Sequence, residues 1–393
     1  MISSTAAKSG AISAKSVSMV SPGRIPHWRN PRLPPWRGAQ PAPSATLCKA
    51  AGLGPCRLPL RSSPRRQGRA MRVLLVRLGA FGDLIHTLPL AADLHTCGHQ
   101  LHWLCEERWA QVLQGSPVIS RIHTCSRRPD RAEYRRLARQ LHDAAFDAVI
   151  DAQGLAKSAR WAWLSGAPKR LGFRPPRSRE GAWLLANRRL PALGVHVVDQ
   201  QRSLARGLGL RPAGPPRFAL PAWKAEAESA RAWLQAQKLQ RPLALNVGAG
   251  WPSKVWPADQ QRRWLELAAA AGQRPLVIWG SPAEEQLARE LCRAVAQAVL
   301  APPTSLPELA GLLDHCGLLV SGDTGPLHLA AARGCPTIGL FGPVPMERNG
   351  PRGQAHPNLQ AKSPAWERKR ADLVDWSDLN AERVWQLAQT LQR

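Results

Sequence analysis

From residue 71 onward, short apolar runs alternate with longer stretches whose apolar positions recur at helical spacing. The run at 71–77, MRVLLVR, shows no polar alternation. That marks a strand covered on both faces, as in a parallel sheet. A glycine-containing loop follows at 78–82, and then a helical pattern over 83–94. Further strands are predicted at 101–105, 121–124, 148–151 and 170–172, with helices at 131–144 and 155–164. The segment 209–223 carries four prolines and reads as a boundary. The alternation then restarts. Helices are predicted at 224–238, 257–271, 283–297, 306–315 and 325–333. Strands are predicted at 243–247, 276–279, 299–300, 318–321 and 337–341. An amphipathic helix with Ser377 as its N-cap closes the chain to residue 392. The fold class is therefore α/β, with two Rossmann-like doubly wound domains at 71–220 and 221–375 and a C-terminal helix at 376–393.

Residues 1–70 read differently. They hold ten prolines, 12 Lys/Arg and no Asp or Glu, without any period. Such a stretch has too little apolar surface to order itself. Two readings stand: a protein that starts at Met71, or a disordered basic leader. The whole chain has 54 basic and 27 acidic residues, and beyond residue 70 the balance is still 42 against 27. A basic protein of this kind seeks phosphate, on a nucleic acid, an anionic membrane face or a phosphorylated substrate. No helix-turn-helix or RNA-binding aromatic signature accompanies the charge, so no nucleic-acid partner is expected. The eight cysteines form no CxxC pair and no zinc spacing, which fits buried thiols. There is no apolar run of 18 residues. Any membrane contact is expected at the surface.

Four segments join the end of a strand to the start of a helix, where open α/β sheets bind ligands. In GAFGDLIHTLP, at 79–89, Asp83 can cap the helix or act as a general base toward a hydroxyl. In NVGAGWPSKVWP, at 246–257, the loop Gly248, Ala249 and Gly250 with Lys254 offers an anion site. Lysine is scarce, with seven after residue 70, which makes one in a glycine loop informative; a solvated loop lysine is the alternative. In SGDTGPLHLA, at 321–330, Asp323 and Thr324 can meet sugar hydroxyls or phosphate, and helix-start amides at Gly325 can meet a diphosphate. His328 can reach the same place or simply pack in the core. In DAQGLAKSA, at 151–159, Asp151 can cap the next helix and Lys157 can be solvated. Arg127, Arg128, Arg131 and Arg135 form either a phosphate-binding patch or a solvated helix face.

Taken together and in this order, the segments RLGAFGDLIHTLP, DAQGLAKSA, NVGAGWPSKVWP and SGDTGPLHLAAARGCPTIGLFGP resemble those of the lipopolysaccharide heptosyltransferase family. The resemblance spans roughly 71–345, and DAQGL-x-KSA leans toward heptosyltransferase I. It implies a GT-B fold, two domains facing a central cleft. It implies inverting, metal-independent transfer of heptose from ADP-L-glycero-D-manno-heptose to Kdo of lipid A, without a cofactor. Asp83 falls on the family's catalytic base. Lys254, Asp323, Thr324, Gly325 and His328 fall on its donor site, with the Gly248–Gly250 loop. Glu284 aligns with the glutamate that holds the ribose, with Glu285 adjacent. Gly82, Arg127, Arg128, Arg131, Gln153 and Lys157 fall on the acceptor side, the arginines only loosely. The loop Gly248-Ala249-Gly250 lacks the threonine hydroxyls of some relatives. A cytoplasmic enzyme peripheral to the inner membrane is implied. The rivals are a sugar-nucleotide epimerase or hydrolase of the same architecture, and a basic nucleic-acid-binding protein.

Overall fold

The computed structural model describes residues 69–392. The leader expected over 1–70 lies outside them apart from its last two residues, as do Cys48 and Cys56. One sheet comprises β1 (Arg72–Val76), β2 (Gln100–Glu106), β3 (Arg121–Cys125), β4 (Ala148–Asp151), β5 (Lys169–Phe173) and β6 (Arg188–Leu190). The other comprises β7 (Leu243–Asn246), β8 (Leu276–Ile278), β9 (Val299–Leu300), β10 (Leu318–Gly322), β11 (Thr337–Phe341) and β12 (Asn358–Gln360). Their orders are β3-β2-β1-β4-β5-β6 and β12-β11-β10-β7-β8-β9, with every pair parallel. Counted from its own first strand, each sheet follows the same doubly wound order. The order reverses between β1 and β4 and again between β7 and β10. Loops at such reversals frame the ligand crevice.

The helices are α1 (Phe81–Thr96), α2 (Ala110–Leu113), α3 (Arg131–Asp143), α4 (Ala156–Leu164), α5 (Val197–Ser203) and α6 (Lys224–Ala236) in the first part of the chain. They continue with α7 (Ala258–Ala270), α8 (Pro282–Ala294), α9 (Leu306–Leu313), α10 (Gly325–Ala332), α11 (Met346–Asn349) and α12 (Ala381–Gln392).

The β1 pattern explains itself in the packing. Val73 and Leu75 enter one apolar cluster and Leu74 and Val76 another, all fully buried. A strand covered on both sides has no place for a polar residue until it leaves the sheet, at Arg77. The cluster holding Val73 and Leu75 also takes Ala244 of β7 and Leu319 of β10. One apolar core therefore runs beneath both sheets. The proline-rich segment 209–223 has no helix or strand, yet it is anchored. Ser116 donates to the Ala219 carbonyl at 2.6 Å, and Arg333 to the Pro221 carbonyl at 2.9 Å.

One boundary is corrected. The C-terminal helix does not start at Ser377, whose N–H is held by Asp375 Oδ1 at 2.9 Å in a separate 3-10 turn. Asn380 is the cap instead, its Oδ1 accepting the Arg383 N–H at 2.9 Å, and α12 begins at Ala381. Trp385 of that helix packs edge-on against Trp264 of α7. The strands β6 and β12 and the helix α5 have no counterpart in the periodicity. Arg188-Arg189-Leu190 and Asn358-Leu359-Gln360 each offer one apolar residue, too little for a strand signal.

Candidate active site

The chain leaving β1 is tied down on all sides. Leu78 N–H donates to Gln153 Oε1 at 2.9 Å, and Glu106 N–H donates to the Leu78 carbonyl at 2.9 Å. Arg77 is buried; its Nη1 donates to the Ala152 carbonyl at 3.0 Å, and its other terminal nitrogen pairs with Asp83. Asp83 sits in the first turn of α1, and 42% of its side chain is exposed. It also accepts the Ala80 N–H, at a long 3.4 Å. Capping and availability thus coexist: one oxygen is oriented by Arg77, and the carboxylate is still partly exposed.

The second site is built from the loops after β7 and β10. Lys254 Nζ donates to Asp323 Oδ2 at 2.6 Å and to the Asp323 carbonyl at 3.2 Å. The same amine stands 4.3 Å from the centre of the Trp251 ring. The Asp323 side chain is 2% exposed, and its other oxygen meets His328 Nε2 at 3.1 Å. Burial would raise this carboxyl. The His328 hydrogen bond and the Lys254 charge outweigh burial and hold it well below the usual range. Asp323 therefore serves as the buried counter-ion that positions Lys254 and His328. An ammonium has three donors, so one proton of Lys254 is left for a ligand.

Thr324 precedes α10, its hydroxyl 3.1 Å from Ser321 Oγ, and no side chain caps that helix. Its first amides, apart from Pro326, remain open to an anion. Glu284 Oε2 accepts the Gly280 N–H at 2.8 Å, and its carboxylate lies directly on Gly248. A Cβ at Gly248 would fall 1.9 Å from Glu284 Oε1, so this glycine is what lets the glutamate reach the loop. Glu285 pairs with Arg289 along the helix instead. Gly250 faces open space, and Ala249 is half-buried.

The two sites meet through the first turns of α1 and α10. A Cβ on Gly82 would come within 2.9 Å of the His328 ring, and one on Gly325 within 2.0 Å of the Phe81 ring. His86, one turn along α1, lies 4.2 Å from His328 centre to centre. His196 Nε2 bridges to the Gly350 carbonyl at 3.0 Å. The turn that carries Asp83 therefore touches the helix start that follows Asp323, and Arg348 lies close enough to feel the charge of both carboxylates.

The residues expected on the acceptor side divide. Gly82 forms the contact just described. Gln153 is buried and holds the loop after β1, and Asp151 takes the Gln153 and Gly154 amides at 3.0 Å. Lys157 pairs with Glu106 at 2.9 Å, beside Arg108 on the same carboxylate. Arg127, Arg128 and Arg131 are exposed before and at the start of α3.

The cations around Asp83 are others. Arg177 and Arg348 both feel the Asp83 charge, and Arg348 feels Asp323 as well. Burial, then Arg77 and Arg348, pulls the Arg177 guanidinium down to about 10. Burial lowers Arg348 too, partly offset by Asp83 and Asp323. Arg179 adds to the same field. Arg77 Nε and Arg177 Nε are buried with no partner among the described residues. Positive groups crowded together beyond their available acids are arranged for an anion that binds between them. The sequence signal was the density of arginine in RPPRSR at 174–179, which lies outside any motif.

Known proteins resemble the chain over most of its length. The model of the family described as Glycosyltransferase family 9 (heptosyltransferase) matches residues 134–374. The chain is 33% identical over 312 residues to a lipopolysaccharide heptosyltransferase 1 of Pseudomonas aeruginosa, covering 75% of this chain and 85% of that protein. It superposes on an Escherichia coli heptosyltransferase WaaC with ADP at a TM-score of 0.68 and 28% identity, covering 82% of this chain and 100% of that one. With ADP-2-deoxy-2-fluoro heptose bound, the Escherichia coli enzyme matches at 0.65 and 28% identity, over 81% and 99%.

Proposed function

The chain belongs to glycosyltransferase family 9, and from that membership we propose that it moves heptose from ADP-L-glycero-D-manno-heptose onto Kdo of lipid A, in lipopolysaccharide inner-core synthesis. The observation that carries the reading is the meeting of the α1 and α10 first turns, which sets a half-exposed carboxylate against an anion-gripping helix start. Asp83 takes the proton of the acceptor hydroxyl as that oxygen attacks the anomeric carbon. The bond from carbon to diphosphate oxygen breaks on the opposite face, inverting the centre, and ADP leaves with the electron pair. Lys254 and the amides of α10 receive the growing charge, so the chemistry proposed here calls on no metal. Glu284 is suited to the ribose hydroxyls, and the Gly248–Gly250 backbone to the phosphates. Arg177, Arg179 and Arg348 suit the carboxylate or phosphate groups of the acceptor. The enzyme works at the cytoplasmic face of the inner membrane, where such an acceptor is anchored.

The test is Asp83→Asn in the full chain. With ADP-heptose and Kdo-lipid A, acceptor mass gain is expected to slow by about a hundredfold to ten-thousandfold. ADP affinity is expected to stay within a few-fold of the parent. Undiminished transfer rules out Asp83 as the base. Donor consumption without acceptor identifies a hydrolase instead.

A further inference from the structure

We propose that the outer surface made by α4 and the 3-10 turn Ala182–Leu185 docks this protein on an anionic lipid bilayer. The proposal extends the reading of a lipid-borne acceptor, and it stands on observations away from the cleft. The exposed residues of α4 are Ala156, Lys157, Arg160 and Trp163, which helical spacing puts on one face. Trp163 is 53% exposed, and Leu184, on the turn that packs against α4, is 67% exposed. A large aromatic and a leucine set out in water on adjoining elements are costly unless something covers them.

Their surroundings say what does. Arg174, Trp183, Asn187 and Arg189 line an open cavity of about 670 Å³. Arg174 Nε is spent on the Arg189 carbonyl at 3.1 Å, and Arg189 Nε on the Ala186 carbonyl at 3.3 Å. These bonds fix the stems and leave the terminal nitrogens without a hydrogen-bond partner among the described residues. Arg160 lies over the Tyr134 ring at 4.9 Å, and that ring packs at a tilt against Trp161. Between residues 127 and 189 there are fifteen Lys/Arg against six Asp/Glu.

Aromatic and aliphatic tips ringed by arginines match the boundary of a bilayer: tips enter among the acyl chains, guanidinium groups meet headgroup phosphates. A nucleic acid would use the charge and gain nothing from Leu184. Among the described residues no helix is long and apolar enough to cross a membrane. The segment 174–183 joins the two roles, with Arg174 and Trp183 at the cavity and Arg177 near Asp83. A sugar in the cleft and its acyl chains in the bilayer are then served by one stretch of backbone.

The test is co-sedimentation of the full chain with phosphatidylglycerol–phosphatidylcholine vesicles and with pure phosphatidylcholine vesicles. Binding only to the anionic vesicles, weakened by salt, is expected. Trp163→Ala with Leu184→Ala is expected to weaken it about tenfold. Arg174→Ser with Arg189→Ser is expected to weaken it about twentyfold, near fivefold per arginine. Melting temperature, and transfer to a Kdo acceptor stripped of acyl chains, are expected to match the parent. Equal binding to both vesicle types overturns the proposal. So does parental binding by both double variants, which would hand the attraction to the basic residues 1–68. The vesicle assay contains neither donor nor acceptor, so a failure of heptose transfer leaves it standing, and the reverse holds as well.

Discussion

Asp151 and Asp323 occupy corresponding places, at the ends of β4 and β10, where the two sheets reverse their order. Both are buried. Burial raises the Asp151 carboxyl above its usual range, and the Gly154 amide, the Ser158 hydroxyl and the Gln153 amide only partly offset it. At Asp323 the same penalty is reversed by His328 and Lys254. The difference lies in neighbours, since burial is shared. In the second sheet the aspartate anchors a cation that a diphosphate can share. In the first sheet it shapes a loop, and the carboxylate proposed as the base is instead Asp83, where solvent still reaches it. On the proposed mechanism, one topology is thus divided into a gripping side and a reacting side.

The Asp83→Asn substitution strikes at that division with the largest expected effect, on turnover. Next comes the pair itself. Asp323→Asn leaves Lys254 buried without its partner and is expected to cost about 3–5 kcal/mol in urea unfolding at neutral pH. Asp151→Asn keeps an oxygen for the two amides and is expected to cost about 1 kcal/mol or less. Their pH dependences should run in opposite directions. The folded Asp323 carboxyl lies below its unfolded value, so its contribution is full above about pH 4 and fades as pH falls. The folded Asp151 carboxyl lies above its unfolded value, so the parent loses ground to Asp151→Asn as pH rises from about 4. Parallel pH curves would mean that the cations do not separate the two.

Smaller effects sharpen the comparison at the seam. Gly325→Ala drives a methyl group into the Phe81 ring, with an expected cost of about 1–3 kcal/mol and a clear loss of transfer. Adding Phe81→Leu should restore part of the activity, because the obstacle is the ring. Away from the seam, Gly248→Ala displaces Glu284. It should raise the KM for donor by about tenfold, a 1.4 kcal/mol effect, with kcat little changed. A fall in kcat alone would assign Glu284 to the reaction itself.

Much of this was legible beforehand because the strands around the reversals are nearly pure in composition. Val73 to Val76 can only be covered on both faces, and the four loops that follow such strands supplied Asp83, Gln153, Lys254 and Asp323. What escaped the reading lies where tertiary contact decides. Arg177 and Arg348 come from irregular loops and are defined only by the charges they face. Lys157 looked available until Glu106, 51 residues away, claimed it. Ser377 fitted a helix cap in every local respect, but Asp375 had already bound its amide.

The apolar cluster shared by both sheets bears on how the opening works. A gap floored by packed leucines cannot swing wide, because separating the faces would wet them. Packed faces of this kind favour shear over hinge opening, and the seam along which α1 and α10 could slide is their contact at Phe81 and Gly325. If the sugar nucleotide enters by that motion, its passage depends on how smoothly Phe81 rides over Gly325. A wedge lodged at that seam would jam the enzyme without touching either substrate.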